Sequence, residues 1–173
     1  ENGKKRLEVP YKDWRKEGIE FQWNDNGIKM LKARYKDGEL EGIFTCWHEN
    51  GQKESHGSCN EEGALVDKEV YWFDNGQKKS ERHIKEASVV FVNWYKNGQK
   101  KGYKEWVDNK LDGILTKWYG NGQKKLELRY KKGKKEGFYH SWYRDGKNKE
   151  ELFFSDDKRM GISIRWYENS NKK

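Results

Sequence analysis

The sequence predicts an all-β protein, a repeat array of about seven 24-residue antiparallel β-hairpins that form an elongated, twisted and curled single sheet. Three observations predict it. A phrase of the form Trp-Tyr-x-Asn-Gly-Gln-Lys-Lys recurs along the chain, apolar and polar residues alternate between its copies, and glycines separate the alternating stretches. A fixed period of this size indicates units that contact mainly their neighbours. We therefore take residues 1–173 as a single repeat domain, with turn glycines at Gly3, Gly27, Gly51, Gly76, Gly98, Gly122 and Gly146.

The alternation is clearest between residues 126 and 142. Leu126, Leu128 and Tyr130 alternate with charged residues. A period of two is typical of a strand that is buried on one side. A helix is disfavoured because a glycine interrupts the chain every ten or so residues.

The two turns of each unit can be predicted from the rule that paired residues point to the same face of a sheet. If Trp118 and Leu126 share a face, a three-residue loop pairs Trp118 with Lys124 and Thr116 with Leu126. Gly122 is then the left-handed residue of a G1 bulge. The other turn is predicted to pair Tyr130 with Phe138 around five residues, with Gly133 left-handed.

This register predicts three columns of large residues on one inner face. Equivalent tryptophans lie too far apart to stack directly, so the first lysine of each phrase is expected to cover the tryptophan before it, as Lys124 covers Trp118. The columns are Trp23, Trp47, Trp72, Trp94, Trp118, Trp142 and Trp166; Ile19, Ile43, Lys68, Val90, Ile114, Phe138 and Ile162; and Tyr11, Tyr35, Cys59, Ile84, Trp106, Tyr130 and Phe154.

The repeat, best preserved from Gly27 to Trp47 and from Gly122 to Trp142, resembles the MORN-repeat variant found in bacterial proteins of the YwqK-like antitoxin family. The resemblance covers essentially the whole chain. It implies stacked β-hairpins, an absence of catalytic residues and a role in protein contacts. Related MORN repeats are also discussed as lipid-binding.

Composition limits the core and leaves the partner open. Only 32% of the residues are hydrophobic, but 15% are aromatic, which separates the chain from disordered sequences. The net charge of +8 is compatible with acidic proteins, anionic lipid or nucleic acid. No apolar run approaches the roughly 20 residues of a membrane span. The sequence is compatible with the bacterial cytoplasm and with export. Glu1-Asn2-Gly3 forms the second half of a repeat turn, which predicts that the chain begins earlier.

The pattern is least regular between residues 55 and 89. One unit gains a residue and carries Ser55, Gly57 and Cys59 at inner positions, and the next loses two residues and both turn glycines. Drift in tolerant loops and a shallow hollow that a partner fills are both compatible with this. The predicted partner-binding residues are Trp47, Trp72, Trp94, Trp118, Ser55, Gly57 and Cys59.

No catalytic or metal-binding constellation is predicted. His48, His56 and His83 are expected on the outer face in different rows, with His140 alone pointing inward, and no pair has metal-ligand spacing. Cys46 and Cys59 are expected as free thiols on opposite faces. Acidic residues such as Glu8, Glu81, Glu127 and Glu151 are expected as solvated charge pairs in an outer column.

These observations favour a non-enzymatic protein-interaction module without cofactors, of antitoxin, immunity or scaffold type, that binds a partner through its aromatic concave face. A membrane-surface adaptor for anionic lipid and a surface or exported adhesion protein are the alternatives. The outer column His48, Phe73, Tyr95, Tyr119, Tyr143 and Tyr167 could serve lipid, or it could cover the backbone of the neighbouring hairpin, which is favoured. Nucleic acid is disfavoured because acidic residues interrupt any basic face, and self-association through the end strands is a further possibility.

Overall fold

The structure is a computed structural model that describes residues 3–172. Glu1 and Asn2 of the first predicted turn, and Lys173 of the degenerate eighth copy, lie outside the described residues. The described residues contain no helix and form seventeen strands. The strands are β1 Leu7–Glu8, β2 Tyr11–Lys12, β3 Arg15–Lys16, β4 Gly18–Trp23, β5 Lys29–Lys36, β6 Glu39–Trp47, β7 Lys53–Cys59, β8 Leu65–Trp72, β9 Lys78–Lys85, β10 Ser88–Trp94, β11 Lys100–Val107, β12 Lys110–Leu111, β13 Gly113–Trp118, β14 Lys124–Lys131, β15 Lys134–Trp142, β16 Asn148–Ser155 and β17 Lys158–Arg165.

Fifteen strands form one antiparallel sheet that is not closed into a barrel, which confirms the predicted all-β hairpin array. The chain divides into two compact units, residues 1–83 and 84–173. Within each unit, the long strands follow one another in chain order. The strand pairings within each unit therefore join segments that are close in sequence, as expected of a repeat array.

The predicted tryptophan turn is confirmed in detail. Gly122 lies in the left-handed region at φ +88, its N–H donates to the Tyr119 carbonyl at 3.0 Å, and the Tyr119 N–H donates to Gln123 at 2.8 Å. These bonds define a type I turn with a G1 bulge, and Trp118 pairs with Lys124 as expected.

Beyond this turn the predicted register is wrong by one residue. Lys117, not Thr116, pairs with Leu126, so Lys125 is an extra residue that forms a second bulge directly after the turn. The prediction failed because it allowed one bulge only and required all large residues to share a face. The same shift occurs next to Trp23, Trp47, Trp72, Trp94 and Trp142.

Because a one-residue shift exchanges the faces of a strand, large residues lie on both sides of the sheet. The predicted columns that begin at Trp23 and at Ile19 share one side of the sheet, which we call the tryptophan face. The third column lies on the other side, which we call the opposite face, at Tyr35, Cys59, Trp106, Tyr130 and Phe154. The prediction of one apolar face is therefore wrong.

The best-buried packing lies on the opposite face. In residues 84–173, Leu128, Leu152 and Phe154 form a buried cluster, with Tyr130 and Tyr139 packed against it. In residues 1–83, Ala33 and the carboxylate of Glu20 are buried on this side, and Lys16 and Gln22 donate to Glu20. Burial of apolar surface on this face stabilises the hairpins by about 25 cal/mol per Å².

The second turn differs from its prediction. Tyr130 pairs with Lys135 instead of Phe138, and Lys131 pairs with Lys134. Lys132 at φ 52 and Gly133 at φ 87 then form a two-residue turn with both residues left-handed, the type that suits the twist of a hairpin. Gly133 is left-handed as predicted, and the residues gained by the shorter loop are absorbed by an irregularity between Leu128 and Tyr130.

The first hairpin departs from the array. Tyr11 was expected in a core column, but it belongs to a separate two-stranded sheet of β2 and β3 and is 62% exposed. Trp14, at the tip of this hairpin, is almost fully exposed in the left-handed region at φ 64.

Candidate functional site

The aromatic residue that follows each tryptophan ties neighbouring hairpins together. Tyr95, Tyr119 and Tyr143 donate their hydroxyls to the carbonyls of Trp118, Trp142 and Trp166 at 2.8–3.0 Å. His48 makes the equivalent contact with Trp72 at 3.1 Å. These four members of the column therefore cover the backbone of the next hairpin, as favoured from the sequence, and their polar groups bind that backbone instead of a ligand.

The paired lysines of the phrase cover two different rings, and the predicted cover of the preceding tryptophan is wrong. The first lysine covers the tryptophan of the following hairpin, with Lys124 Nζ 5.8 Å from the Trp142 ring and Lys100 Nζ 5.9 Å from that of Trp118. The second lysine turns back over the preceding tyrosine, as Lys125 does over Tyr119 at 5.6 Å. Much of the basic character of the turns is therefore used in holding the array together.

The tryptophan face of residues 84–173 carries an exposed apolar patch. We define this apolar patch by its five members, Ile114, Phe138, Phe153, Met160 and Ile162, which are 36% to 84% exposed. The rings of Phe138 and Phe153 meet edge to face at 5.1 Å. The Phe138 ring also contacts the His140 ring, with 5.7 Å between the ring centroids, and the His140 ring stacks on Trp142 at 5.9 Å. Phe153 also pairs with Met160 in the ladder. Exposed apolar side chains gathered on one face in this way are typical of an interaction surface.

The tryptophan face of residues 1–83 carries a hollow of about 530 Å³. Ile43, Val70 and Trp72 provide apolar lining, and Ser58 and His56 provide polar groups. Lys53, Lys68 and Lys78 line it together with Asp67. The hollow thus combines an aromatic surface with three lysines and one carboxylate.

A buried carboxylate holds two of these lysines in place. Glu81 is 6% exposed and forms ion pairs with Lys68 and, at 2.7 Å, with Lys78, and it also contacts His83. Burial alone raises the pKa of Glu81, but the hydrogen bonds from Lys68, Lys78 and His83 outweigh it and lower the pKa to about 2. The carboxylate therefore stays ionised and fixes the ammonium groups beside the hollow.

The structure separates the predicted partner-binding residues into two sets. Trp47 and Trp72 lie on the tryptophan face of residues 1–83, and Trp94 and Trp118 lie on that of residues 84–173. Ser55, Gly57 and Cys59 lie on the opposite face and are buried, so the expectation that they share a face with the tryptophans is wrong.

Gly57 is small because an aromatic ring occupies the space beside it. A Cβ added at Gly57 would lie 2.7 Å from the Phe44 ring and 3.3 Å from Leu65. The space beside Gly57 on the opposite face is therefore filled from within the chain, although Gly57 itself also lines the hollow of the tryptophan face. The hollow that does exist lies on the other side of the same strand.

The histidines and cysteines also change faces. His56 bonds to Thr45 at 2.9 Å and, like His83, lies on the tryptophan face, so the outward placement of these two histidines is wrong. The acidic column lies on this face as well, where Glu127 pairs with Lys124 at 2.7 Å. Cys46 and Cys59 are free, but they share the opposite face instead of lying on different ones.

The described residues contain no group of three His, Cys, Asp or Glu side chains that could hold a metal ion. Among residues 3–172 there is also no helix long and apolar enough to cross a membrane.

Comparison with known families supports a binding role. Residues 40–58 and 111–132 match the family profile described as MORN repeat variant. Each segment contains one tryptophan turn with its flanking strands. MORN repeats are generally associated with protein or membrane binding, and they act as binding modules rather than catalysts. A comparison with curated proteins finds no match for the chain.

The unit that carries the hollow differs from the regular repeats in length. The first lysine of a regular phrase precedes the tryptophan that it covers by 18 positions, as Lys100 precedes Trp118 and Lys124 precedes Trp142. Lys53 precedes Trp72 by 19 positions, because this unit gains one residue. The ladder register between them is nevertheless regular, and both residues line the hollow.

Proposed function

We propose that the chain is a non-enzymatic protein-binding module that recognises its partner through the tryptophan face. The observation that carries the proposal is the apolar patch of residues 84–173. Burial of exposed apolar side chains such as those of Phe138 and Ile162 is a main source of affinity in protein interfaces. Neutralisation or scaffolding of a partner, as in the YwqK-like antitoxin family that the sequence resembles, is the form of binding that we propose.

The chemistry of the face favours a protein over a lipid surface. Membrane adsorption needs lysine ammonium groups that are free to meet anionic headgroups beside the inserted apolar residues. Lys100 and Lys124 instead lie over aromatic rings of their own chain. Phe138 and Ile114 lie within strands that pair on both sides, instead of at protruding loop tips.

Capture from an extract of the native organism tests the proposal. We expect wild-type protein to retain a defined partner and the variant Phe138→Ser to retain at least about tenfold less, because the removed ring lies at the centre of the patch. Lys117→Ser, an exposed change on the opposite face, is the matched control and is expected to retain the partner. Circular dichroism of both variants checks that the sheet is intact.

Two results would contradict the proposal. One is loss of the partner with Lys117→Ser but not with Phe138→Ser, which would move the interface to the opposite face. The other is recovery of lipid or nucleic acid without any protein, which would favour the membrane-adaptor or nucleic-acid alternative.

A further inference from the structure

The hollow on the tryptophan face of residues 1–83 differs from the regular repeats in one respect. At Lys29, Lys100 and Lys124 the first lysine of the phrase lies over the tryptophan of the next hairpin, at 5.8–5.9 Å. Lys53 is the equivalent lysine, and it pairs with Trp47 in the ladder as its counterparts do. Among the described residues no cation–π contact joins it to Trp72, and the two side chains instead line the hollow.

This difference does not come from a shift of register. The stretch between Lys53 and Trp72 is one residue longer than its counterparts, but Ser55 pairs with Tyr71 as Leu126 pairs with Ser141 in a regular repeat. The added residue therefore lies beyond this pair, towards the far turn of the hairpin. Lys53 is exposed, and it lines the hollow beside an indole that lacks the lysine cover of the regular repeats.

The charges around the hollow favour an anion. Lys53, Lys68 and Lys78 face two carboxylates, Asp67 at the rim and Glu81 beneath. Glu81 is shared by Lys68 and Lys78, so the positive charge of this cluster exceeds the negative charge. Because the buried carboxylate already orders the Lys68 ammonium group, a ligand that pairs with it loses less side-chain entropy on binding.

We propose that this hollow binds an acidic side chain of the partner protein that stands next to an aromatic or aliphatic one. The apolar side chain packs on Trp72 and Ile43, and the neighbouring carboxylate pairs with Lys53 and Lys68. The inference rests on the proposed function for the nature of the partner, and it assigns the recognition of charge to a place separate from the apolar patch. Charged groups of this kind fix specificity and orientation more than affinity.

Two synthetic peptides test the inference. One carries a phenylalanine flanked by aspartate and glutamate, and the other replaces these acids with asparagine and glutamine. We expect calorimetry to show saturable binding of the acidic peptide and at least about tenfold weaker binding of its amide counterpart, since the charge pairs are lost. The indole N–H resonance of Trp72, assigned through Trp72→Phe, is expected to shift only with the acidic peptide.

Variants of equivalent lysines provide the control. Lys53→Gln is expected to weaken the affinity for the acidic peptide about fivefold. Lys124→Gln, in a regular repeat, is expected to change this affinity less than about twofold. No saturable binding, equal binding of both peptides, or an unchanged affinity of Lys53→Gln would each overturn the inference. So would tighter Lys53-dependent binding to phosphatidylserine vesicles than to the peptide.

The two proposals fail separately. If Phe138→Ser loses the partner while Lys53→Gln does not affect either partner or peptide, the apolar patch is the interface and the assignment of the hollow is wrong. If the peptide binds as described but extract yields no protein partner, the hollow recognises acidic groups and the protein-binding proposal is wrong.

Discussion

At the residue scale, a few side chains have roles that depend on their burial. Glu81 and Glu127 occupy equivalent positions, each three residues after a lysine that pairs with it. Glu81 is enclosed by Lys68, Lys78 and His83, whereas the side chain of Glu127 is 32% exposed. The same sequence pattern therefore gives a structural ion cluster in one repeat and a solvated pair in another.

Glu81 is predicted to make stability dependent on pH in the acidic range. Its pKa is about 2 in the folded chain, below its ordinary value of 4.5. A carboxyl with a lowered folded pKa stabilises the fold above its unfolded pKa, so the contribution is full above about pH 5 and is lost as the pH falls towards 2. The lowered pKa corresponds to a contribution of about 3 kcal/mol.

Urea unfolding between pH 7 and pH 2.5 measures this contribution. Glu81→Gln is expected to lower the free energy of unfolding at pH 7 and to make it depend less on pH in the acidic range. Glu127→Gln should lower the free energy of unfolding by less than about 1 kcal/mol. Equal effects of the two variants at pH 7 would show that the enclosure of Glu81 has no energetic consequence.

At the element scale, each tryptophan turn is fixed both by its own backbone and by the hairpin before it. Gly122 has φ +88, and a Cβ at this position would lie 2.8 Å from Oε1 of Gln99 in the preceding turn. A Cβ at Gly76 would likewise lie 2.7 Å from Oε1 of Gln52. The asparagines add a further link, since Asn121 donates to the Arg144 carbonyl of the next turn at 2.8 Å.

Two glycines of one turn are predicted to respond differently to alanine. Gly122→Ala should lower the free energy of unfolding by about 1–2 kcal/mol, because alanine is strained in the left-handed region. Gly120 is outside that region and a Cβ there meets nothing within 4 Å, so Gly120→Ala should stay within about 0.5 kcal/mol of wild type. Thermal and urea unfolding of both variants provide the comparison.

A third variant separates the two causes. Gln99→Ala combined with Gly122→Ala should recover the part of the loss that comes from contact with Gln99 and leave the part that comes from backbone strain. If Gly120→Ala destabilises as strongly as Gly122→Ala, the turn does not have the geometry described above.

At the scale of the whole molecule, the repeat period could be predicted from the sequence and the distribution of faces could not. The period, the strand order and the left-handed Gly122 follow from local composition and turn chemistry. The second bulge at Lys125 has no such signal, because a lysine fits a bulge and a regular ladder equally well. One unrecognised bulge moves every later residue of the strand to the other face.

The candidate site could be predicted only in part for the same reason. The tryptophans were identified as a column, but Ser55, Gly57 and Cys59 were assigned to their face through the incorrect register. The hollow depends on the Lys53 side chain, which does not lie over Trp72 although the ladder register between the two strands is the regular one. A difference in side-chain direction of this kind has no signal in the sequence pattern.

The central claim is that a second bulge in each of the six tryptophan hairpins from Trp23 to Trp142 separates the tryptophan face from the opposite face. Cross-strand nuclear Overhauser effects between β13 and β14 test it most directly, because directly opposed residues give backbone contacts that neighbours in a shifted register do not. We expect contacts of Lys117 with Leu126 and of Thr116 with Glu127. Contacts of Thr116 with Leu126 and of Lys117 with Lys125 would contradict the account, since they would place Trp118 and Leu126 on one face.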